Sequence, residues 1–497
     1  MDEKEQVQYT EHVDEKKQQL DDDYAESDNR HHHNKNDSAA VLVKSPEEVA
    51  FLRKLNWTLL PLIFLIIFIQ FCDKSALTVA AVLGIIEDTG MSGSQYSWLG
   101  SIFYLGYLVC QVPNNYLIQR LPIGRYLGGV LVIWGIVMGT TGACNTFGQL
   151  LAMRFLLGLF EGVTYPCIYI LLNTLYRKSE QSRCWGFVHV GTGMGTVLGV
   201  VIAYGLAHLD GVRGLRGWRW GYIVFGIATV VIGILTFFFL VDDTHHKLLR
   251  LTEKEKEIVE ERSKDNCVVR NKEIKKEQMW EAAKEPRLWI LFVVFLLNSL
   301  QNGGLTAFST LLVKGLGFSS LNAIILQIPN GATAAIFAMV SVLIAHKLQR
   351  NTFTAIGTAI VSLLGCILLA VIPGTPKLVG LYLSWAMTGT SSLILTLVSN
   401  NVSGYTKKVF YNAVLIVGTT LGNFIGPLIM VEDQAPSYWG GIVGFCLANA
   451  LIIILLFVLY IMMVRENKRR LANPPEKETD IYLDLTDKQD KNFIYKL

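Results

Sequence analysis

Apolar stretches of about 20 residues recur along the chain, and short polar connections separate them. They are centred at about residues 68, 107, 134, 163, 195 and 230 and, after a polar interval, at about 300, 333, 362, 388, 420 and 452. A helix of this length crosses the hydrocarbon core of a bilayer. The pattern therefore predicts an all-α membrane protein with twelve transmembrane helices in two six-helix halves.

The polar intervals divide the chain into five parts. Residues 1–50 are rich in Asp, Glu, Lys, Gln and Asn, which predicts a disordered cytoplasmic N-terminal tail. A six-helix half over 51–241, a cytoplasmic central loop over 242–286 and a second half over 287–464 follow. Residues 465–497 are expected to form a cytoplasmic C-terminal tail.

Basic residues predict the orientation in the membrane. Lys and Arg concentrate in the connections after even-numbered helices, at Arg120, Arg125, Arg177, Lys178, Arg183, Lys347, Arg350, Lys407 and Lys408. By the positive-inside rule these connections are cytoplasmic, and so are both termini. The loop after the fifth helix, with Arg213, Arg216 and Arg219, departs from the rule.

Glycines reveal an internal repeat. Gly191, Gly195 and Gly199 in the fifth helix match Gly418, Gly422 and Gly426 in the eleventh, and the offset from Gly191 to Gly418 is 227 residues. Small residues at this spacing let membrane helices approach closely. Two related halves are typical of secondary transporters.

Two charges lie inside the fourth apolar run, in the stretch RFLLGLFEG. Arg154 and Glu161 are seven positions apart, nearly two helical turns, so they share a face at about 10 Å. Gly158 between them predicts an open notch. A cation that holds an anion, beside a carboxylate that can carry a proton, suits a coupled transporter. The alternative is a salt-bridge cluster that only specifies helix packing.

A second charged pair, Asp73 and Lys74, lies in the first helix. Placing four ionisable groups in the membrane costs about 10 kcal/mol in total, so we expect Asp73, Lys74, Arg154 and Glu161 to pair mutually around a cavity. Their formal charges sum to zero when Glu161 is ionised. Asp73 and Glu161 are therefore the candidate proton-coupling residues.

Other residues in the apolar runs are candidates by type alone. His189 could relay protons, because its unperturbed pKa is near neutral, although a packing role is the alternative. Further candidate substrate-binding residues are Tyr104, Tyr107, Tyr165, Asn298, Asn302, Phe308 and Trp385. The same offset of 227 residues carries Lys74 onto Gln301, which lies among these asparagines.

The composition supports a membrane protein and excludes other classes. Apolar residues make up 51% and charged residues 17% of the 497. The eight cysteines form no CxxC pair, so neither a disulfide framework nor a metal site is expected. The His31–His33 run could bind metal weakly, but a solvated tract is the simpler interpretation. We expect no cofactor, no nucleic-acid binding and no enzymatic site.

Several motifs carry a family resemblance. They include FCDKSALTVAAVLGI, QYSWLGSIFYLGYL, RFLLGLFEGVTYP, RKSEQSR, GWRWGYIVFGI, NVSGYTKK, GNFIGP and the tail DLTDKQDKNFIY. The sequence resembles the fungal allantoate permease family, in the anion:cation symporter branch of the major facilitator superfamily. The resemblance covers roughly residues 50–497.

The resemblance implies a plasma-membrane permease that takes up a small organic anion with protons. By position, Lys74 matches a basic site in the first helix, Arg154 a substrate-anion site and Glu161 a proton-linked acid. The family pattern GxxxDRxGRR is degraded, with Gln119 where its Asp stands. Substrates in such a family include allantoate, ureidosuccinate, dipeptides, nicotinate, cysteine, sulfonates and thiamine-like molecules.

The favoured hypothesis is secondary active, proton-coupled uptake of an organic anion by a monomer in the lipid bilayer, through alternating access. One alternative is an uncoupled facilitator or exporter of a related vitamin, sulfur compound or amino acid. A transporter-like nutrient sensor is another, and it would be expected to carry longer, motif-rich tails.

Overall fold

The computed structural model describes residues 45–242, 249, 251–252, 254–259, 275–472 and 484–497. The predicted disordered tail, with His31–His33, lies outside the described residues up to residue 44. So do most of the central loop and the first part of the C-terminal tail. The division between the two units of the chain falls after Arg53, and the contacts described below all lie within Lys54–Leu497.

Twelve long helical segments account for most of the described chain. They are α1 Pro46–Val82, α2 Gly93–Ile118, α3 Ile123–Thr141, α4 Phe147–Leu175, α5 Lys178–Ala207, α6 Gly217–Phe239, α7 Pro286–Gly315, α8 Ser320–Leu348, α9 Asn351–Val371, α10 Lys377–Asn401, α11 Tyr405–Leu428 and α12 Trp439–Ala472. Eleven of these described helices are long and apolar enough to cross a membrane. The exception is α2, whose serines, tyrosines and amides lower its mean hydropathy.

Polar residues set where two helices of the first half begin. The Ser92 hydroxyl accepts a hydrogen bond from the Gln95 backbone amide before α2, and the Gln95 side-chain oxygen accepts one from the Ser92 backbone amide. Thr146 and Gln149 make the same reciprocal pair before α4. Each capping box satisfies two backbone donors that a helix start leaves free.

Two helices at corresponding positions of the halves are interrupted. In α4, the segments Phe147–Glu161 and Thr164–Leu175 meet at a break that follows Glu161 directly. In α10, Lys377–Ser384 and Met387–Asn401 meet at Trp385. Broken helices at matching positions of two repeats are common where transporters bind their cargo.

The repeated glycines make equivalent contacts in the two halves. A Cβ on Gly195 of α5 would overlap the Phe68 carbonyl of α1, and one on Gly422 of α11 would overlap the Leu296 carbonyl of α7. Because only a glycine permits such close backbone approach, α5 packs on α1 as α11 packs on α7.

The two halves contact each other at one end of the molecule, the joined end. The Tyr96 hydroxyl of α2 donates to the Ala307 carbonyl of α7 at 2.8 Å, and the Ser94 amide donates to Glu432 at 3.1 Å. Thr78 and Thr310 share a hydrogen bond of 2.8 Å. These contacts lie toward the connections between α1 and α2 and between α11 and α12.

The end of the chain folds back onto the second half. Asn401 and Lys496 exchange two hydrogen bonds, of 2.9 and 2.7 Å, and Asn467 and Tyr495 exchange two of 2.8 and 2.9 Å. The second half was predicted to end at residue 464, but α12 continues to Ala472. The polar residues after 464 extend this helix because it packs against residues 484–497.

A buried charge cluster holds this tail. The ammonium of Lys407 is fully buried and lies 2.8 Å from Glu281, 2.9 Å from Glu285 and 2.8 Å from Asp487. Arg287 pairs with Glu285 and, at 2.5 Å, with Asp487. Burial raises the pKa of the Asp487 carboxyl, but Arg287 and Lys407 outweigh it and hold that pKa below its usual range.

Candidate functional site

A small cavity lies between the halves, inward of the joined end. It has a volume of about 30 Å³ and is lined by Asp73, Lys74, Leu77, Gly100, Phe103, Tyr104, Arg154, Glu161, Gly303, Thr306 and Ala307. These residues come from α1, α2, α4 and α7. That volume holds about two or three water molecules. All four membrane charges predicted from the sequence therefore reach one cavity, which is too small in this conformation for an organic solute.

Lys74 and Glu161 form an ion pair in the cavity. The Lys74 ammonium lies 3.2 Å from Glu161 Oε1, which also accepts a hydrogen bond of 3.0 Å from the Gln70 amide. The Glu161 side chain is fully buried, whereas that of Lys74 is 29% exposed. The second Glu161 oxygen, Oε2, has no hydrogen-bond partner. Glu161 is thus held on one oxygen and free on the other.

Asp73 does not share the ion pair of the adjacent Lys74. The indole Nε1 of Trp134, on α3, donates to Asp73 Oδ2 at 2.7 Å, and both side chains are buried. Its other oxygen, Oδ1, has no partner. A neutral donor thus holds this carboxylate, and the mutual pairing predicted for all four charges is wrong for Asp73. The side chain instead turns toward α3.

Of the two cations that line the cavity, Arg154 has no carboxylate partner among the described residues. Its side chain is only 5% exposed, and it donates to the Tyr222 hydroxyl of α6 at 2.5 Å. Within the described parts of the chain, no carboxylate lies within ion-pairing distance of it. A guanidinium has five donors, so most of its capacity is available to a ligand in the cavity. The predicted mutual pairing is therefore wrong for Arg154 too.

The notch predicted at Gly158 is filled. A Cβ at this position would overlap the carbonyl oxygen of Phe103, because the backbone of α2 packs directly against α4 there. Gly158 therefore brings α2 close to α4 and leaves no opening between Arg154 and Glu161. The cavity lies instead among residues of four helices.

The remaining candidates are distributed unevenly. Tyr104 lines the cavity, as predicted for a binding residue. Asn298 donates to Ser391 at 2.6 Å and Asn302 to Asn423 at 2.8 Å, so both connect α7 to neighbouring helices. The Asn298 Oδ1 atom has no partner. Neither asparagine lines the cavity in this conformation.

Phe308 and His189 lie apart from the charged group. Phe308 is buried at the joined end, where its ring meets Tyr96 and Tyr438 with centroids 5.2 and 5.1 Å apart. It packs the halves together and does not line the cavity. His189 of α5 is exposed and is not among the lining residues. Residue type alone pointed to both.

Three residues that hold the charged groups of the site were not predicted from the sequence. Gln70, Trp134 and Tyr222 each make the hydrogen bond that fixes a charged group. A lone amide, indole or phenol in an apolar run is too common to single out. Gln70 could have been predicted, because it is one turn from Lys74 on the same face of α1.

Comparisons with known proteins identify the family of the chain. The Major Facilitator Superfamily matches residues 63–427. The allantoate permease of Saccharomyces cerevisiae is 33% identical over 476 residues, which cover 91% of this chain and 87% of the permease. The chain belongs to the allantoate permease family of the major facilitator superfamily. It is therefore a multi-pass membrane transporter and not an enzyme.

Two further similarities concern the sequence and the fold of this transporter. A transporter of Schizosaccharomyces pombe described as uncharacterized is 34% identical over 468 residues, covering 91% of this chain and 90% of its own. A bacterial homolog of the human lysosomal transporter Spinster, in an inward-facing and unoccupied conformation, superposes with a TM-score of 0.63 at 17% identity. That match covers 83% of this transporter and 98% of the bacterial chain, and it supports the fold.

Proposed function

We propose that this transporter takes up a small organic anion together with protons, by alternating access, as a monomer in the plasma membrane with both termini cytoplasmic. The observation that carries the proposal is Arg154, a buried guanidinium with no carboxylate partner among the described residues, beside the ion pair of Lys74 and Glu161. A carboxylate of the substrate would bind Arg154 in the bidentate geometry that guanidinium groups favour.

Charge balance links the anion to a proton. The four cavity charges sum to zero when Glu161 is ionised, so an added monoanion leaves one uncompensated negative charge in a low-dielectric site. Protonation of Glu161 makes the group +1 and releases Lys74 from its ion pair. The substrate anion then neutralises the site. Substrate and proton would therefore be bound together and released together.

Alternating access accounts for the size of the cavity. About 30 Å³ is small beside the roughly 300–1,000 Å³ of small-molecule sites, so the helices must separate to admit a substrate. The contacts of Tyr96 with Ala307 and of Thr78 with Thr310 close the end that we assign to the outside. We therefore propose that the structure represents a state in which the outer end is closed and the binding site is collapsed.

Allantoate is the first substrate to test, because a relative with 33% identity is an allantoate permease. Ureidosuccinate, nicotinate and cysteine belong in the same panel. Purified protein in sealed vesicles would be given each labelled compound with an inward proton gradient, without one, and with a protonophore. Gradient-dependent accumulation of an anion is expected, whereas equilibration unaffected by the protonophore would favour the uncoupled facilitator.

A further inference from the structure

The segment GWRWGY at the start of α6 is a motif that the transport proposal leaves unexplained. Trp218 and Tyr222 are four positions apart, so they share one face of α6. Both are buried, at 2% and 1% exposure, and their rings meet edge to face with centroids 6.1 Å apart. Two rings packed this way have little freedom to reorient.

This aromatic pair connects a loop to the cavity. The Trp218 indole donates to Asp88 Oδ2 at 2.8 Å, in the connection between α1 and α2. Arg216 lies 3.4 Å from the same oxygen. One turn further along α6, the Tyr222 hydroxyl accepts a hydrogen bond of 2.5 Å from Arg154. The side chains thus form a continuous row from that connection to the cavity arginine.

A hydroxyl partner has an electrostatic consequence for Arg154. A carboxylate in its place would orient the guanidinium but would also neutralise it, as Glu161 does for Lys74. The phenol is neutral, so it orients the guanidinium and leaves the full positive charge facing the cavity. Asp73 lines the same cavity and has a carboxylate oxygen without a partner, so a released Arg154 would have a group to pair with.

We propose that Tyr222 is a positioning residue for Arg154: it holds the guanidinium away from Asp73 so that its charge remains available to an organic anion. This inference rests on the proposed anion site. Without the hydroxyl, the guanidinium pairs with Asp73 and the anion loses its strongest partner.

The test compares Tyr222→Phe with wild-type protein in lipid nanodiscs. Tyr176→Phe is the matched control, because Tyr176 is also buried and its hydroxyl also donates a hydrogen bond, to Asn56 at 2.8 Å, away from the cavity. The first readout is the rate at which phenylglyoxal labels Arg154 while the helices are separated and the site is open, measured by peptide mass spectrometry. We expect labelling about tenfold slower in Tyr222→Phe, from pairing with a carboxylate, and unchanged in the control.

A double variant separates positioning from general damage. Adding Asp73→Asn to Tyr222→Phe removes the competing carboxylate, so the labelling rate should return toward that of Asp73→Asn alone. Trp218→Phe, which breaks the bond to Asp88, should slow labelling in the same direction but less. Slow labelling that persists in the double variant would overturn the inference, as would wild-type labelling in Tyr222→Phe.

The second readout is allantoate affinity, from the shift in melting temperature across a concentration series. Tyr222→Phe should bind about tenfold more weakly than wild type, and Tyr176→Phe should bind equally well. Arg154 labelling needs no substrate, so it decides the role of Tyr222 even if wild-type protein binds no anion. Failure of the wild-type protein to bind any anion would contradict the proposed function instead.

Discussion

Replacing Arg154 with lysine tests whether the guanidinium binds the substrate carboxylate through two parallel hydrogen bonds. The lysine keeps the charge, but it cannot offer two parallel donors or reproduce the bond to Tyr222. The loss of one hydrogen bond to a charged partner costs about 1.5–3 kcal/mol in a site this buried, so the dissociation constant should rise about 10- to 150-fold. Arg154→Lys should therefore be nearly as damaging as Arg154→Ala.

The assay is substrate titration of purified protein, with surface expression checked in parallel. Arg219→Lys is the matched control, because Arg219 also uses two guanidinium nitrogens, donating to Gly142 at 2.9 Å and Asn145 at 2.8 Å, and does not line the cavity. The control should bind normally. Wild-type affinity in Arg154→Lys would refute the bidentate role.

Three further predictions address packing, the tail and topology. Gly158→Ala should lower the melting temperature and the folded yield, since its Cβ overlaps the Phe103 carbonyl, whereas Gly148→Ala has open space and should be neutral. The pKa of Asp487 is depressed, so the stabilising contribution of its carboxylate is complete above about pH 4 and is lost only as pH falls further. Hydrogen exchange of residues 484–497, corrected for intrinsic rates, should therefore show the same protection at pH 7 and pH 5. The Asp487→Asn variant should show less protection. A protease added outside intact cells should leave tags on both termini uncut, and cleavage of an N-terminal tag would contradict the twelve-helix topology.

The hydropathy pattern predicted the helices because each must satisfy its own backbone in lipid. It was less informative at the ends. The polar residues after 464 continue α12 because residues 484–497 pack against them, a contact that local composition does not encode. In α2, side chains that pack between the halves lower the hydropathy that identifies a span.

The four membrane charges were predictable as a group, since their cost in lipid requires a shared polar environment. Their individual partners were not. Whether Asp73 turns to Lys74 or to Trp134 depends on the rotation of α1 relative to α3, and hydropathy does not specify that rotation. For the same reason, the sequence did not predict Tyr222 as the partner of Arg154. Phe308 and His189 were selected by residue type, which does not indicate where a side chain lies relative to the cavity.

The central claim is that Glu161 couples the anion to the proton, and Glu161→Gln in reconstituted vesicles tests it most directly. The amide mimics the protonated acid, so the variant should still exchange labelled substrate in counterflow but should lose accumulation driven by a proton gradient. Glu87→Gln, an exposed glutamate outside the cavity, is the control and should do both. Gradient-driven accumulation by Glu161→Gln at the wild-type level would contradict the account and direct attention to Asp73.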